Sequence, residues 1–319
     1  EQYGAKVYFK REDLQPIRSF KLRGAYHKIY KLSEEERKRG IVCASAGNHA
    51  QGVALACNKL GIKGTIFMPV PTPKQKLGQV HMFGGSNVEI RLTGDTFDDA
   101  YAAAQSFKDE TNSMFVHPFG DKDVVIGQAT LALELIDQAV EPIDYILVPI
   151  GGGGLISGVL HVFKTLSPQT KVIGIEPEGA PAMQQSLANG KITELNEIDP
   201  FVDGAAVRKV GEDAFTLCTT FLDKLVLVSE GKICQSILKL YNKEAIVVEP
   251  AGAMSTASLK MITEEIKGKN VVCLICGGNN DITRMAEIKE RALLEANLLH
   301  YFIVRFPQRA GALKEFVAE

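Results

Sequence analysis

The stretch YILVPIGGGGLISGVLHVF, Tyr145 to Phe163, decides how the rest of the chain reads. It is the longest run without a charge, long enough for a membrane span, but Pro149 and the four glycines Gly151 to Gly154 interrupt it. A glycine costs a helix roughly 1 kcal/mol against alanine and an interior proline roughly 3 kcal/mol, so a continuous helix is excluded. The run reads instead as strand Tyr145 to Ile150, a tight turn, and helix Leu155 to Leu166. Exposed amides and the positive end of that helix would hold a phosphate. Four glycines would equally serve tight packing of strand against helix. There is no GK[ST] ending, which disfavours a nucleoside triphosphate loop. A dinucleotide site stays open on one count, since Glu176 lies where a ribose-binding acid would sit, and suffers on another, since Ile156 stands where the third glycine belongs.

Outward from this segment the alternation continues. Helix Gln128 to Ala139 precedes it, and strand Lys171 to Glu176 follows. Helices around Cys234 to Asn242 and Ala251 to Ile266 then lead into strand Asn270 to Cys276 and a closing helix, Ile282 to Ala296. Nearer the start lies a smaller version of the pattern: β-rich runs Ile41 to Ser45, Thr65 to Pro69, Asn87 to Leu92 and Met114 to Pro118, separated by helical segments. Alternation of this kind builds parallel sheets. A first strand and helix precede the small unit and most of the larger layer follows it, so the expected class is α/β with two open parallel domains. Residues 1–39 and 116–296 would form the large domain, 40–115 a small inserted one, and 297–319 the start of something further. Ligands of such sheets bind outside the carboxyl ends of strands, where the turns Ser45 to Asn48, Gly151 to Gly154 and Cys276 to Asn280 fall.

Composition narrows the function. The 36 basic and 38 acidic residues are interleaved and leave a net charge of -2, so no basic stripe awaits a nucleic acid. The start, EQYGAKVYFKRED, shows no secretory pattern and no initiator Met, so earlier residues are expected to be missing and a cytoplasmic location is the default. Six cysteines without such a signal imply reduced thiols. Cys273 and Cys276 are three apart on an apolar strand and point to opposite faces, which opposes a zinc or redox pair.

Two further elements carry chemistry. From Ser19 the spacing Leu22, Ala25, Ile29, Leu32 is helical, with Ser19 as the expected N-cap and Gly40 as the expected terminator. Lys21 then opens a helix between Phe20 and Leu22, where the helix dipole and partial burial both disfavour an ammonium ion. A neutral amine is what Schiff base chemistry needs, although a solvated surface lysine is the commoner case. ASAGNHAQG, Ala44 to Gly52, is a strand-to-helix turn offering the Ser45 hydroxyl, the backbone at Ala46 and Gly47, and the Asn48 amide, with His49 as a further polar contact. It would seat a carboxylate, or simply cap the helix that follows.

Taken together, SFKLRGA at Ser19 to Ala25, SAGNHAQG at Ser45 to Gly52, GGGGL at Gly151 to Leu155 and CGGNND at Cys276 to Asp281 stand in the order found in fold type II pyridoxal phosphate enzymes. The chain resembles their serine and threonine dehydratase branch along essentially its whole length, and biosynthetic threonine dehydratases most closely. The resemblance implies pyridoxal 5′-phosphate as a Schiff base on Lys21, with Phe20 beside the ring and Asn48 on the 3′ oxygen. Gly151, Gly152, Gly153, Gly154 and Leu155 would cradle the phosphate, and Cys276 would face the pyridine nitrogen. It further implies a substrate site on Ser45, Ala46, Gly47, Asn48 and His49, and a homodimer or homotetramer.

The implied reaction converts L-threonine to 2-oxobutanoate and ammonia, the first step of isoleucine biosynthesis, and also L-serine to pyruvate. Lys21 would remove the α proton and the cofactor phosphate would protonate the departing hydroxyl. A thiol at Cys276 cannot keep the ring nitrogen protonated, which favours elimination over racemisation or transamination. In the related serine racemase a serine stands where this chain has Ala46. Relatives that bind a divalent cation carry an acid six residues beyond the glutamate matching Glu176, where this chain has Ala182, so no metal is expected. The end, HYFIVRFPQRAGALKEFVAE, carries a β-rich run Tyr301 to Phe306 and a helical start from Ala310. It resembles the beginning of the ACT-like regulatory domain where isoleucine is sensed; a terminal hairpin on the catalytic domain is the other reading. Competing functions are a serine racemase or serine-preferring dehydratase, a nicotinamide oxidoreductase, and a non-catalytic amino-acid sensor.

Overall fold

A computed structural model describes residues 3–318. The first part of the chain runs β1 (Lys6–Arg11), α1 (Lys21–Tyr30), α2 (Glu34–Arg39), β2 (Ile41–Ala44), α3 (Asn48–Leu60), β3 (Gly64–Met68), α4 (Lys74–Gly84), β4 (Val88–Leu92), α5 (Phe97–Thr111) and β5 (Met114–Phe115). Next come α6 (Lys122–Gln138), β6 (Tyr145–Pro149), α7 (Gly154–Leu166), β7 (Lys171–Pro177), α8 (Ala182–Asn189), α9 (Glu212–Phe221) and β8 (Lys224–Val228). The chain closes with α10 (Glu230–Glu244), α11 (Pro250–Ser258), α12 (Thr263–Ile266), β9 (Asn270–Ile275), α13 (Met285–Glu295) and α14 (Ala312–Ala318).

Two parallel sheets result, as expected for two open α/β domains. One has the order β1-β9-β6-β7-β8 and the other β4-β3-β2-β5. In the larger sheet Tyr145 pairs with Lys171 on one side and Val271 on the other, and Lys6 pairs with Asn270. In the smaller, Ile41 pairs with Gly64 and Met114. β2 and β6 are buried along their whole length, the pattern of strands covered on both faces. The main core gathers β6, β7, β9, α7 and α11, while the core of the smaller sheet draws in Ala25 and Ile29 of α1 and Val124 of α6. α1 therefore packs beneath the small sheet with Lys21 at the cavity, while α6 serves both cores and gives Leu131, Ala132 and Leu135 to the larger one.

Several expected boundaries move for physical reasons. Ser19 does not cap α1: it bridges Gly277, and Phe20 is the residue that precedes the helix. Gly40, at φ 83°, ends α2, because the chain breaks at Leu32 and Ser33 opens a new helix with a capping box to Glu36. α6 begins at Lys122, six residues earlier than its apolar periodicity suggests, because the Asp121 side chain caps the amides of Asp123 and Val124. The helix expected from Ala251 to Ile266 is interrupted after Ser258 by a 3-10 turn. α8, α9 and β8 were not anticipated. Tyr301 to Phe306 is not a strand: it pairs with neither sheet and lies exposed, Ile303 at 98%, because a β-rich run needs a ladder partner to become one.

Candidate active site

The exits of three parallel strands meet at the cleft. After β9, Cys276 and Gly278 pair with the segment before α1: the Phe20 amide donates to the Cys276 carbonyl at 3.2 Å and the Gly278 amide to the Arg18 carbonyl at 2.9 Å. This brings Lys21 and Cys276 to one wall. Arg23, two residues on, anchors α1 to buried Glu12 at 2.7 Å. Phe20, Lys21, Gly151 to Leu155 and Cys276 line a single cavity together with Phe119, Gly204, Ala205 and Ala251.

Lys21 Nζ donates to the Pro118 carbonyl at 2.9 Å. The turn that presents this carbonyl is held by His117, whose Nδ1 accepts from the Gly120 amide at 2.7 Å. Burial lowers the Lys21 amine to about 8, against smaller opposing pulls from Cys276 and Glu249. Burial drives the Cys276 thiol well above the usual range, so it stays protonated.

Opposite Lys21, β6 delivers the glycine turn to the head of α7. Gly153 adopts φ 96°, and a Cβ there would fall 2.2 Å from that of Ala214, so only glycine serves. Phe119 closes over Gly152, and Gly211 donates to the Gly152 carbonyl at 3.0 Å. Among the described residues the amides of Gly151, Gly152 and Gly153 have no protein acceptor. Amides gathered at the positive end of a helix, a half-buried lysine of lowered pKa and a cradle that any Cβ would fill together fit a phosphate-bearing aldehyde such as pyridoxal phosphate.

Asn48 and Gly47 line a second, polar cavity that shares Gly204 with the first and includes Gln51, Lys76, Asp203, Glu249 and Asn279. Ser45, Ala46 and His49 line neither. The Ser45 hydroxyl accepts from the Gly47 amide at 3.2 Å, and Ala46 packs against the core of the smaller sheet. His49 Nε2 meets the Val116 carbonyl at 2.8 Å, and burial lowers this imidazole to about 3, so it is neutral and donates from Nε2. Glu176 is buried, accepts from the Met183 and Gln184 amides at 2.7 and 2.8 Å, and is pushed up to about 7 by burial. It caps a helix rather than facing the cavity. Residues not anticipated are Pro118, Phe119 and above all Glu249, while Asn279 lies within the expected turn Cys276 to Asn280 without having been singled out. The available signal for Glu249 was a lone acid between the apolar Ile246 to Val248 and the small, uncharged Pro250 to Ala253.

Fold and cleft together define a cofactor enzyme, and the chain belongs to the pyridoxal-phosphate dependent enzyme family, whose sequence model matches residues 1–277. Along all of its length it is 56% identical to the protein named L-threonine dehydratase biosynthetic IlvA from Halalkalibacterium halodurans, covering 77% of that relative. The protein of the same name from Bacillus subtilis is 55% identical, with 100% of this chain and 76% of the relative covered. Among solved structures, the processed form of threonine deaminase isoform 2 from Solanum lycopersicum superposes with a TM-score of 0.87 at 39% identity, over 92% of this chain and 80% of that one. Maize serine racemase superposes at 0.83 with 31% identity, over 92% and 90%.

Proposed function

We propose that the protein is a threonine ammonia-lyase that dehydrates and deaminates L-threonine to 2-oxobutanoate and ammonia, and accepts L-serine. The observation that carries this reading is the single cavity holding Lys21, the glycine turn and Cys276, in a chain more than half identical to biosynthetic threonine dehydratases. Bound pyridoxal phosphate supplies the carbonyl that captures the substrate amine and the conjugated ring that accepts the electrons of the broken Cα–H bond.

The chain's own residues do the rest. Lys21 would anchor the cofactor, and its neutral amine is the group that would take the α proton; an amine lowered to about 8 keeps a useful neutral fraction near neutral pH. The Pro118 carbonyl holds Nζ in place between these tasks. Gly151 to Leu155 would hold the phosphate, and Phe20 and Phe119 would exclude water around the ring. The protonated Cys276 thiol offers no negative charge to a ring nitrogen, which steers the chemistry toward loss of the hydroxyl. Of the turn Ser45 to Asn48, Gly47 and Asn48 border the polar cavity and would receive the substrate carboxylate. Ala46 has no hydroxyl with which to return a proton to the opposite face, so serine racemisation is not expected.

Action in the cytoplasm and as a homo-oligomer belongs to the same proposal. Six free, buried cysteines support a reducing compartment, and no helix of the described residues is long and apolar enough to cross a membrane. The deciding experiment is the absorption spectrum of the purified protein with pyridoxal phosphate, followed by product analysis on threonine. A visible band that borohydride abolishes, and 2-oxobutanoate in the product, are expected; a colourless protein that binds NAD would sink the proposal.

A further inference from the structure

The Asn48 amide is gripped from both ends by residues far away in the chain. Its Nδ2 donates to Glu249 Oε1 at 2.8 Å and Oε2 at 3.0 Å, across 201 positions. Its Oδ1 accepts from Asn279 Nδ2 at 2.7 Å, across 231 positions. The two ends of an asparagine amide are alike in shape and opposite in chemistry, so an unconstrained Asn48 would turn over freely. A carboxylate only accepts, and therefore admits Nδ2 and rejects Oδ1. Asn279 Nδ2 only donates, and imposes the same orientation from the other side. Seen from Nδ2, the two oxygens of one carboxylate subtend a much narrower angle than the two diverging N–H bonds do. One hydrogen of Nδ2 therefore serves both, and the second is left for a ligand.

We propose that Glu249 is a positioning residue for the cofactor: it locks the Asn48 amide so that a donor N–H, and not the carbonyl, faces an anionic oxygen of the ring. The proposal rests on the pyridoxal phosphate reading above. The fold is built around this carboxylate. Glu249 is the N-cap residue of α11, so its charge sits at the positive end of a helix. A Cβ on Gly277 would fall 2.1 Å from its Oε1, so the strand exit beside it has no room for a side chain. Burial and Asp203 push the Glu249 carboxyl up to about 7, while Asn48, Lys76 and the Asn279 backbone pull it down; Lys21 and Cys276 are the other ionisable groups that feel its charge. The lock is therefore firmest above neutrality, where the carboxylate is charged.

The test titrates cofactor-free protein with pyridoxal phosphate and reads the dissociation constant, the absorption band of the bound cofactor and the melting temperature. Glu249→Gln keeps the shape but offers Asn48 a donor as well as an acceptor. Its affinity should fall about tenfold or more with a shifted or split band, while in an Asn48→Ala background the same change should add less than about twofold. Asn279→Ala approaches the amide from its other end and should show the same dependence on Asn48; it stands in if Glu249→Gln does not fold. Failure of the unaltered protein to take up the cofactor overturns the functional reading, and this proposal with it. Normal uptake by the unaltered protein, combined with unchanged titration of Glu249→Gln or losses that multiply independently of Asn48, overturns the lock alone.

Discussion

The two walls of the cleft are made differently. One is backbone: Gly151 to Gly154 are contiguous, and their amides line up because β6 ends and α7 begins there. The other is side chains: Lys21, Asn48, Glu249, Cys276 and Asn279 come from segments that meet only once both sheets have formed. A backbone wall reads its ligand through N–H groups that cannot ionise. A side-chain wall holds an amine, a carboxyl and a thiol that can, and burial sets the protonation of each. The first should respond to added volume and the second to changed chemistry.

The largest effect expected is on the side-chain wall. Lys21→Ala removes the anchor and the base together, and loss of the base alone should cost at least about a hundredfold in turnover. Borohydride should then fix no cofactor to the protein, as read by mass spectrometry. Retained activity would assign the chemistry to another amine and break the comparison at its centre.

On the backbone wall, Gly153→Ala changes no functional group and adds one methyl. A left-handed backbone costs a non-glycine residue about 1–2 kcal/mol, and the new Cβ would meet that of Ala214 at 2.2 Å. Cofactor affinity should drop by about tenfold or more with a lower melting temperature. An unaffected affinity would mean that the turn serves helix packing and not the phosphate.

The same division governs what was legible in the sequence. Periodicity and turn chemistry mark the element boundaries at Lys21 and at the glycine turn, but only the resemblance joins them to Cys276; the structure lines one cavity with all three. Both sheets were visible because buried parallel strands are continuous apolar runs. Glu249 was not found, because its role exists only in the contact with Asn48 and nothing local distinguishes it from any other acid at the start of a helix. α8, α9 and β8 were missed for a related reason. Their segments show short, weak patterns, and β8 becomes a strand by pairing with β7. Tyr301 to Phe306 is the converse case, with strand-forming residues but no partner.

A pH titration sharpens the comparison further. Below about 8 the Lys21 amine is increasingly protonated and cannot attack the cofactor, so covalent capture should rise about tenfold per pH unit toward that value and then level off. The sign follows from burial, which lowers this group from an ordinary lysine value of 10.5. Stopped-flow absorbance measures the rate directly. A rate still climbing steeply at pH 10 would place Lys21 in a solvated setting and undo the argument from burial.

The smallest effect expected is at Cys276, and it separates volume from charge on the side-chain wall. Burial keeps this thiol protonated, with Glu249 adding to the effect and Lys21 opposing it. At working pH it is a neutral group of small size with weak hydrogen-bonding power. Cys276→Ser is also neutral and slightly smaller, so turnover on threonine should stay within about threefold, with the cofactor band in place. Cys276→Asp has a similar volume but introduces a carboxylate beside Lys21 and Glu249. A negative charge there would hold a proton on the ring nitrogen and prolong the life of the deprotonated substrate, so racemised amino acid or transaminated cofactor should appear at the expense of 2-oxobutanoate. Chiral analysis of residual substrate, with quantification of the 2-oxoacid, distinguishes the outcomes. A folded, cofactor-loaded Cys276→Ser protein without activity would show that sulfur itself is required. An Asp variant that partitions as the parent does would show that charge at this position does not steer the reaction.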